Sequence, residues 1–194
     1  MGASARAPAR VKGSFVGGGT MTPFASRSVV VALAVCVLGG LAVPTPATAR
    51  DVVRFSDPSF SAGTIVIRTG QRRLYYVLGN GRAVRYPVGV GKRGKRWSGR
   101  TMISGKYYKP DWSPPAAVKR DIRRLPNLIR GGSRSNPMGV AAMTLAGTEY
   151  AIHGTNRPGS VGGFVSYGCI RMYNSDIMDL YRRVSVGTTV VVTQ

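Results

Sequence analysis

The residues best suited to covalent chemistry lie close together in residues 150–172. This segment contains His153, the single histidine of the chain, and Cys169, one of its two cysteines. A thiol attacks acyl carbons as its thiolate, and a neighbouring imidazole can take its proton. The glycine-rich stretch between the two residues can fold back on itself. We therefore expect His153 to lie beside Cys169, with the cysteine as nucleophile and the histidine as base.

The neighbours of Cys169 are also suited to acyl chemistry. Gly168 permits a sharp turn and a close approach of backbone N–H groups to a substrate carbonyl. The amides of Cys169 and of the residues before it are therefore candidates for an oxyanion hole. Arg171 lies two residues after Cys169, so in an extended segment it points to the same side. Its guanidinium can bind a substrate carboxylate with two hydrogen bonds.

Each of these residues also has a purely structural interpretation. A single cysteine is often a small buried hydrophobe, and a single histidine in an apolar strand is usually a core residue. Arg171 alone is an ordinary surface charge. It is the occurrence of all three in one glycine-rich segment that favours a thiol enzyme.

The N-terminal residues 1–49 have the features of an export signal behind a basic leader. An apolar run, residues 28–43, follows Arg27 and is shorter than the about 20 residues of a membrane span. Ala47-x-Ala49 then matches the pattern that signal peptidase accepts. Met21 is an alternative start that would give this signal an ordinary length. Cleavage after Ala49 would remove Cys36 and leave Cys169 as the only thiol, whereas an uncleaved segment would serve as an inner-membrane anchor.

The charge of the chain is strongly positive. Beyond residue 49, 24 basic residues face all seven acidic ones, a formal charge of +17. Such a field attracts polyanions, and the cluster 92–96 would suggest nucleic acid in a cytosolic protein. Behind an export signal, the expected partners are instead anionic wall polymers and lipid head groups, and no nucleic acid. The alternative is that the cluster is a solvated loop.

The remaining pattern predicts one mainly β domain over residues 64–194, after a linker at 50–63. Asn80-Gly81 between two β-rich runs predicts a hairpin, and Ala146-Gly147-Thr148 is expected to form the turn of a second one. Gly187 is expected to end the C-terminal helix. Asn174-Ser175-Asp176 is expected to cap that helix. Residues 91–115 are interpreted as basic and turn-rich. The predicted strands cover 64–69, 74–78, 84–90, 140–145, 150–152 and 188–193, and the predicted helices are a short one at 116–124 and one after 174.

At this point the sequence resembles a known family. His153-Gly154-Thr155, followed by Ser166-Tyr167-Gly168-Cys169-Ile170-Arg171-Met172, is similar to the signature of the YkuD-type L,D-transpeptidases, in particular the ErfK/YbiS/YcfS/YnhG branch. The segments Trp112-Ser113-Pro114-Pro115 and Asn136-Pro137-Met138-Gly139 also resemble positions common in that branch. The resemblance covers about residues 64–192. It implies a β-sandwich-like catalytic domain with one or two short helices.

The resemblance also implies a reaction. Cys169 would attack the L-centre carbonyl of the third residue of a peptidoglycan tetrapeptide stem and release D-alanine. The thioester would be resolved by an amine, either of a second stem (a 3→3 cross-link) or of a lysine in an envelope protein. His153 would be the base, oriented by the backbone carbonyl of Gly154. Ser166 and Arg171 match positions linked to substrate binding and site architecture, and no metal or organic cofactor is expected.

One position departs from the family pattern. Tyr167 occupies the place that most often holds histidine, although its hydroxyl can still donate a hydrogen bond in the oxyanion or acceptor region. Two alternatives to transfer stay open: a hydrolytic L,D-carboxypeptidase or amidase on the same substrate, and a non-catalytic basic protein that binds the wall. In each case the expected location is the periplasm or cell envelope.

Overall fold

The computed structural model describes residues 50–194. The predicted leader, export signal, alternative start and Cys36 lie outside the described residues. Within residues 50–194, no helix has both the length and the apolar character to cross a membrane.

The described chain is mainly β with two short helices, as the sequence predicts. Nine strands form a sheet in the order β1-β4-β3-β2-β11-β6-β7-β8-β10, and β5 pairs with β9. The helices are α1 (Ala116–Asp121) and α2 (Asn174–Arg183), with a 3-10 turn at Pro158–Ser160. The strands are β1 (Asp51–Arg54), β2 (Ile65–Arg68), β3 (Arg73–Gly79), β4 (Arg82–Pro87), β5 (Val90–Gly91), β6 (Gly99–Tyr108), β7 (Ala141–Leu145), β8 (Ala151–His153), β9 (Phe164–Ser166), β10 (Ile170–Arg171) and β11 (Thr189–Thr193).

Strand β6 joins the two halves of the large sheet. Its first part pairs with β11 and its second part pairs with β7, and the register shifts between Ile103 and Gly105. One buried cluster contains side chains from both halves, including Ile65 of β2, Met143 of β7 and Leu180 of α2. The half that contains β7, β8 and β10 carries the candidate catalytic residues.

The predicted hairpins are confirmed. β3 and β4 pair antiparallel around Asn80 and Gly81, whose φ angles of 51° and 65° suit a tight hairpin turn. β7 and β8 form the second hairpin, with Ala142 opposite His153. The final strand, β11, is also confirmed, and it lies between β2 and β6.

The predicted linker at 50–63 is wrong at its start. β1 pairs with β4 over four residues, and Phe55 is buried against Tyr75 with ring centroids 5.2 Å apart. The turn-rich interpretation of 91–115 is wrong for β6. This strand buries only Ile103 and Gly105, so its sequence lacks the alternation that marks a half-buried strand.

The helix after residue 174 is confirmed, but its predicted ends are wrong. Tyr173 is the N-cap residue, and no side chain caps the helix. The Asn174 side chain is bonded elsewhere, as described below. The helix ends at Arg183, and Gly187, with φ of 89°, belongs to the turn that precedes β11.

Candidate active site

The strands β8 and β10 bring the two predicted reactive residues together. They are parallel neighbours, with Ile152 opposite Ile170 and His153 opposite Arg171. The glycine-rich connection therefore folds back, as expected. Cys169 immediately precedes β10, which places it diagonally across from His153. Both residues line one cavity of about 480 Å³.

Gly168 is fixed by two aromatic residues. Its φ is 131°, and a Cβ atom there would lie 2.2 Å from Cε1 of Tyr150. Trp97 stacks on Tyr150 with centroids 5.4 Å apart and donates from Nε1 to the Gly168 carbonyl at 2.9 Å. No side chain fits at position 168 without moving this stack, and the backbone that carries Cys169 is held in place by it.

Ser166 stabilises the turn that precedes Cys169. Its hydroxyl is buried, donates to the Cys169 carbonyl at 2.6 Å and accepts from the Gly168 N–H at 3.1 Å. The Gly168 amide is therefore occupied. Within residues 50–194, the amides of Tyr167 and Cys169 have no hydrogen-bond acceptor, so these two N–H groups are available to a substrate oxygen.

His153 is buried and held in one orientation. Its Nδ1 lies 2.7 Å from the Gly154 carbonyl oxygen. Because a carbonyl only accepts, this contact places the proton on Nδ1 and leaves the lone pair of Nε2 for another partner. Burial, and secondly the charge of Arg171, lower the pKa of His153 to about 4, while the carbonyls of Gly154 and Pro137 act weakly in the other direction. The imidazole is neutral at neutral pH.

The thiol of Cys169 is also neutral at rest. Burial raises its pKa above the ordinary value, against weaker lowering effects of the Ala151 backbone and of Arg171. Arg171 therefore acts on the pKa of both residues. With the thiol neutral, attack by the sulfur on an acyl carbon requires a base that removes the thiol proton as the new bond forms, which is general-base catalysis.

Arg171 has spare hydrogen-bonding capacity in this cavity. It donates from Nη1 to the Ser160 hydroxyl at 3.0 Å, and its buried Nε has no partner in the described part of the chain. Burial, the largest cause, and the charge of Arg157 lower its pKa. Arg157 and Lys95 line the same cavity, together with one acidic residue, Glu149. The cavity is thus suited to an anionic group.

Tyr167 lies near the site but points toward another partner. Its hydroxyl donates to a carboxylate oxygen of Asp121 at the end of α1. The Tyr167 hydroxyl therefore does not make the contact with the oxyanion or acceptor region that the sequence analysis expects. The sequence analysis did not single out Asp121, and only a contact between residues far apart in the chain identifies it.

A segment that we call the flap, residues 110–138, forms the opposite wall of the cavity. The side chain of Asn136, which is 1% exposed, donates to the carbonyls of Pro110, Ile129 and Arg130 and accepts from the Met138 N–H. These bonds fix the base of the flap. Its residues that line the cavity are mainly apolar: Trp112, Pro115, Ala117, Val118, Ile122, Leu125, Ile129, Pro137 and Met138.

Asn174 supports the backbone that follows His153. Its amide accepts from the Thr155 N–H at 2.9 Å and donates to the Thr155 carbonyl at 3.0 Å. A Cβ atom on Gly154 would lie 2.3 Å from Asn174 Oδ1, so glycine is required there. The sequence analysis missed this support because asparagine at a helix start is ordinarily a cap.

No cluster of three or more histidine, cysteine, aspartate or glutamate side chains in the described region could hold a metal ion. A more polar depression of about 410 Å³ near residues 59–64 contains neither Cys169 nor His153.

The chain belongs to the L,D-transpeptidase catalytic domain family, whose model matches residues 62–192. The probable L,D-transpeptidase YbiS of Escherichia coli K12 is 38% identical over 135 residues, which are 65% of this chain and 43% of that protein. The chain thus spans less than half the length of this relative.

The solved structures that are similar to the chain include two that differ in sequence identity. One is a mutant of the Enterococcus faecium L,D-transpeptidase, with a TM-score of 0.55 and 18% identity over 70% of this chain and 51% of that one, which shows the fold. The other, from Brucella melitensis, is described as a probable carnitine operon oxidoreductase. It has a TM-score of 0.51 and 39% identity over 77% of this chain and 96% of that one.

Proposed function

We propose that this protein is an L,D-transpeptidase that acts on peptidoglycan stem peptides, with Cys169 as nucleophile and His153 as base. The observation that carries the proposal is that β8 and β10 bring the single histidine of the chain and its one described cysteine to the same cavity. Family membership supports the acyl-transfer chemistry. The substrate is a tetrapeptide stem, attacked at the L-centre carbonyl of its third residue.

The first half-reaction forms the acyl-enzyme. Nε2 of His153 takes the thiol proton while Sγ of Cys169 bonds to the carbonyl carbon, and the carbonyl oxygen becomes an oxyanion. The free amides of Tyr167 and Cys169 are the donors for that oxygen. The oxyanion then collapses to a thioester, the C–N bond breaks, and the D-alanine amine leaves with the proton from His153.

The second half-reaction regenerates the thiol. An acceptor amine attacks the thioester, His153 takes its proton, and the C–S bond breaks as the thiolate is protonated. The acceptor is the side-chain amine of a second stem, giving a 3→3 cross-link, or a lysine of an envelope protein. Gly154 keeps the imidazole in the same tautomer through both steps, since its carbonyl accepts from Nδ1–H.

The other parts of the site act in binding. Arg171, with Ser160 beside it and an unpartnered Nε, holds a substrate carboxylate. Ser166 and Gly168 act indirectly, by shaping the turn that presents Cys169. We also place the protein outside the cytoplasmic membrane, where its positive charge favours contact with anionic wall polymers.

Intact-mass spectrometry after exposure to a carbapenem tests the nucleophile. We expect one adduct per chain, located at Cys169, and none in Cys169→Ala. A matched control is Arg123→Gln, an exposed residue that does not line the cavity, which should be labelled as the wild type is. Labelling of Cys169→Ala, or of a residue outside the cavity, would refute the assignment.

Product analysis with tetrapeptide muropeptides tests the reaction. New dimers together with released D-alanine indicate transfer, whereas shortened monomers alone indicate a carboxypeptidase. The non-catalytic alternative would be favoured if the wild-type protein leaves the muropeptides unchanged and Cys169→Ala binds the wall as well as the wild type does. Incubation with an acceptor protein separates attachment to lysine from cross-linking.

A further inference from the structure

The flap is connected to the catalytic segment by three side chains that we call the clasp: Tyr167, Asp121 and Lys92. The Tyr167 hydroxyl and the Lys92 ammonium, at 3.1 Å, both donate to Oδ2 of Asp121. Lys92 Nζ also lies 3.9 Å from the centroid of the Tyr167 ring. The three residues come from separate parts of the chain: the loop after β5, the last residue of α1, and the position two before Cys169.

The position of α1 depends on few other contacts. The helix contains no buried residue, and its cavity-lining side chains Ala117 and Val118 are only half-buried. The base of the flap has its own support from Asn136 and from a backbone bridge between Trp112 and Ile129. These bonds are made by residues outside α1, so they do not fix the helix against the segment that contains Cys169.

We infer that Tyr167 is a positioning residue that holds the flap closed over the bound donor peptide through Asp121. The inference rests on the proposed function. It accounts for the departure from the family pattern, because a phenol extends further from the backbone than an imidazole and carries its donor at the far end. Since Tyr167 also supplies a free amide beside Cys169, the position of the flap is connected directly to the segment that would bind the oxyanion.

The clasp is open to solvent, which limits its strength. Asp121 is exposed, and the Lys92 and Asp121 side chains of the ion pair are 41% and 47% exposed. Exposed ion pairs contribute little and are screened by salt. A contact of this kind suits a flap that must open for each donor and each acceptor.

Two variants each remove one partner of the hydroxyl–carboxylate bond. Tyr167→Phe keeps the ring under Lys92 and deletes only the hydroxyl, and Asp121→Ala deletes the acceptor while keeping a good helix former. We expect each to raise KM for a tetrapeptide donor about two- to tenfold with a smaller change in kcat. The double variant should be no worse than the poorer single variant, because both remove the same bond.

Hydrogen exchange gives a readout that does not depend on turnover. Amides of residues 116–125 should exchange faster in both variants, whereas those of β7 and β8 should not change. Arg123→Gln is the matched control: Arg123 is an exposed flap residue that does not line the cavity, and this variant should leave exchange and KM as in the wild type. Raising the salt concentration should loosen the wild-type flap and that of Tyr167→Phe, which keeps the Lys92–Asp121 ion pair, but should have less effect on Asp121→Ala.

Unchanged exchange in the flap of Tyr167→Phe would overturn the inference, as would additive effects of the two substitutions on KM. If the wild type forms no adduct at Cys169, the proposed function fails. Even in that case, the hydrogen-exchange experiment shows whether Tyr167 holds the flap. If adducts and products form normally but neither variant changes KM, the function stands and the positioning role does not.

Discussion

Acidification should destabilise this protein through His153 in a way that can be calculated. The imidazole is 4% exposed, and burial lowers its pKa to about 4, from the ordinary value of 6.5. In the unfolded chain the imidazole is solvated and binds a proton near pH 6.5. Between these two pKa values, the unfolded state holds more protons than the folded state. The free energy of unfolding therefore falls as the pH is lowered through this window.

The size of the effect follows from the two pKa values. Lowering the pH from about 7.5 to about 4.5 should remove about 2.5 kcal/mol of stability through this one residue. The full difference below both pKa values is about 3.4 kcal/mol, at about 1.36 kcal/mol for each pKa unit. Either value is a sizeable part of the 5–15 kcal/mol that is typical of a whole domain, so about 2.5 kcal/mol is measurable by denaturation.

Urea denaturation of the wild type and of His153→Gln at both pH values isolates this contribution. Glutamine cannot titrate, so we expect the variant to lose about 2.5 kcal/mol less than the wild type between the two pH values. Other groups titrate equally in both proteins and cancel in the comparison. Equal losses of stability in the two proteins would refute the reasoning, because His153 would then have the same pKa folded and unfolded.

Three further predictions test other parts of the structure. Gly168→Ala should cost about 1–3 kcal/mol of stability and abolish carbapenem acylation, because its Cβ would lie 2.2 Å from a tyrosine ring atom. Gly159→Ala, which has open space around it, should change neither the stability nor the acylation. Denaturation measures the stability of both variants, and mass spectrometry measures their acylation. Arg171→Gln should raise the pKa of His153, since the arginine charge is one cause of its lowering, and an NMR titration of the single histidine measures this directly. Tyr86→Phe should cost about 0.5–1.5 kcal/mol in thermal denaturation without changing acylation, because its buried hydroxyl donates to a carboxylate of α2 at 2.6 Å.

The parts of the fold that the sequence predicts are those with strong local patterns. The β3–β4 hairpin has alternating apolar residues on both sides of Asn80-Gly81, and its turn geometry requires those residue types. The helix α2 shows helical spacing, with Ile177 and Leu180 fully buried. In both cases, neighbours within a few residues determine the structure.

The parts that the sequence does not predict depend on distant pairing. β1 is mostly exposed and becomes a strand because it pairs with the edge strand β4. β6 is a strand because β11 and β7 flank it, although Ile103 is its only buried side chain. Neither pattern is distinguishable from a loop by composition alone.

The same distinction applies to the site. His153 and Cys169 are evident from the sequence because each is the only residue of its kind in residues 50–194, and their approach across β8 and β10 follows from one short connection. Trp97, Tyr150 and Asn174 support the site from other parts of the chain, through contacts that no local spacing encodes. Tyr167 is evident as a departure from the family pattern, but only the folded chain pairs it with Asp121.

The electrostatics of the site give Arg171 a role beyond binding. Its charge lowers the pKa of both Cys169 and His153, so in the empty site it favours the thiolate but opposes the imidazolium that proton transfer must form. A substrate carboxylate bound to Arg171 neutralises much of that charge. The imidazole then becomes the stronger base when the donor is in place. The same neutralisation also raises the pKa of the Cys169 thiol, so we expect donor binding to move both pKa values in the same direction and to leave the thiol and the imidazole neutral until the sulfur attacks.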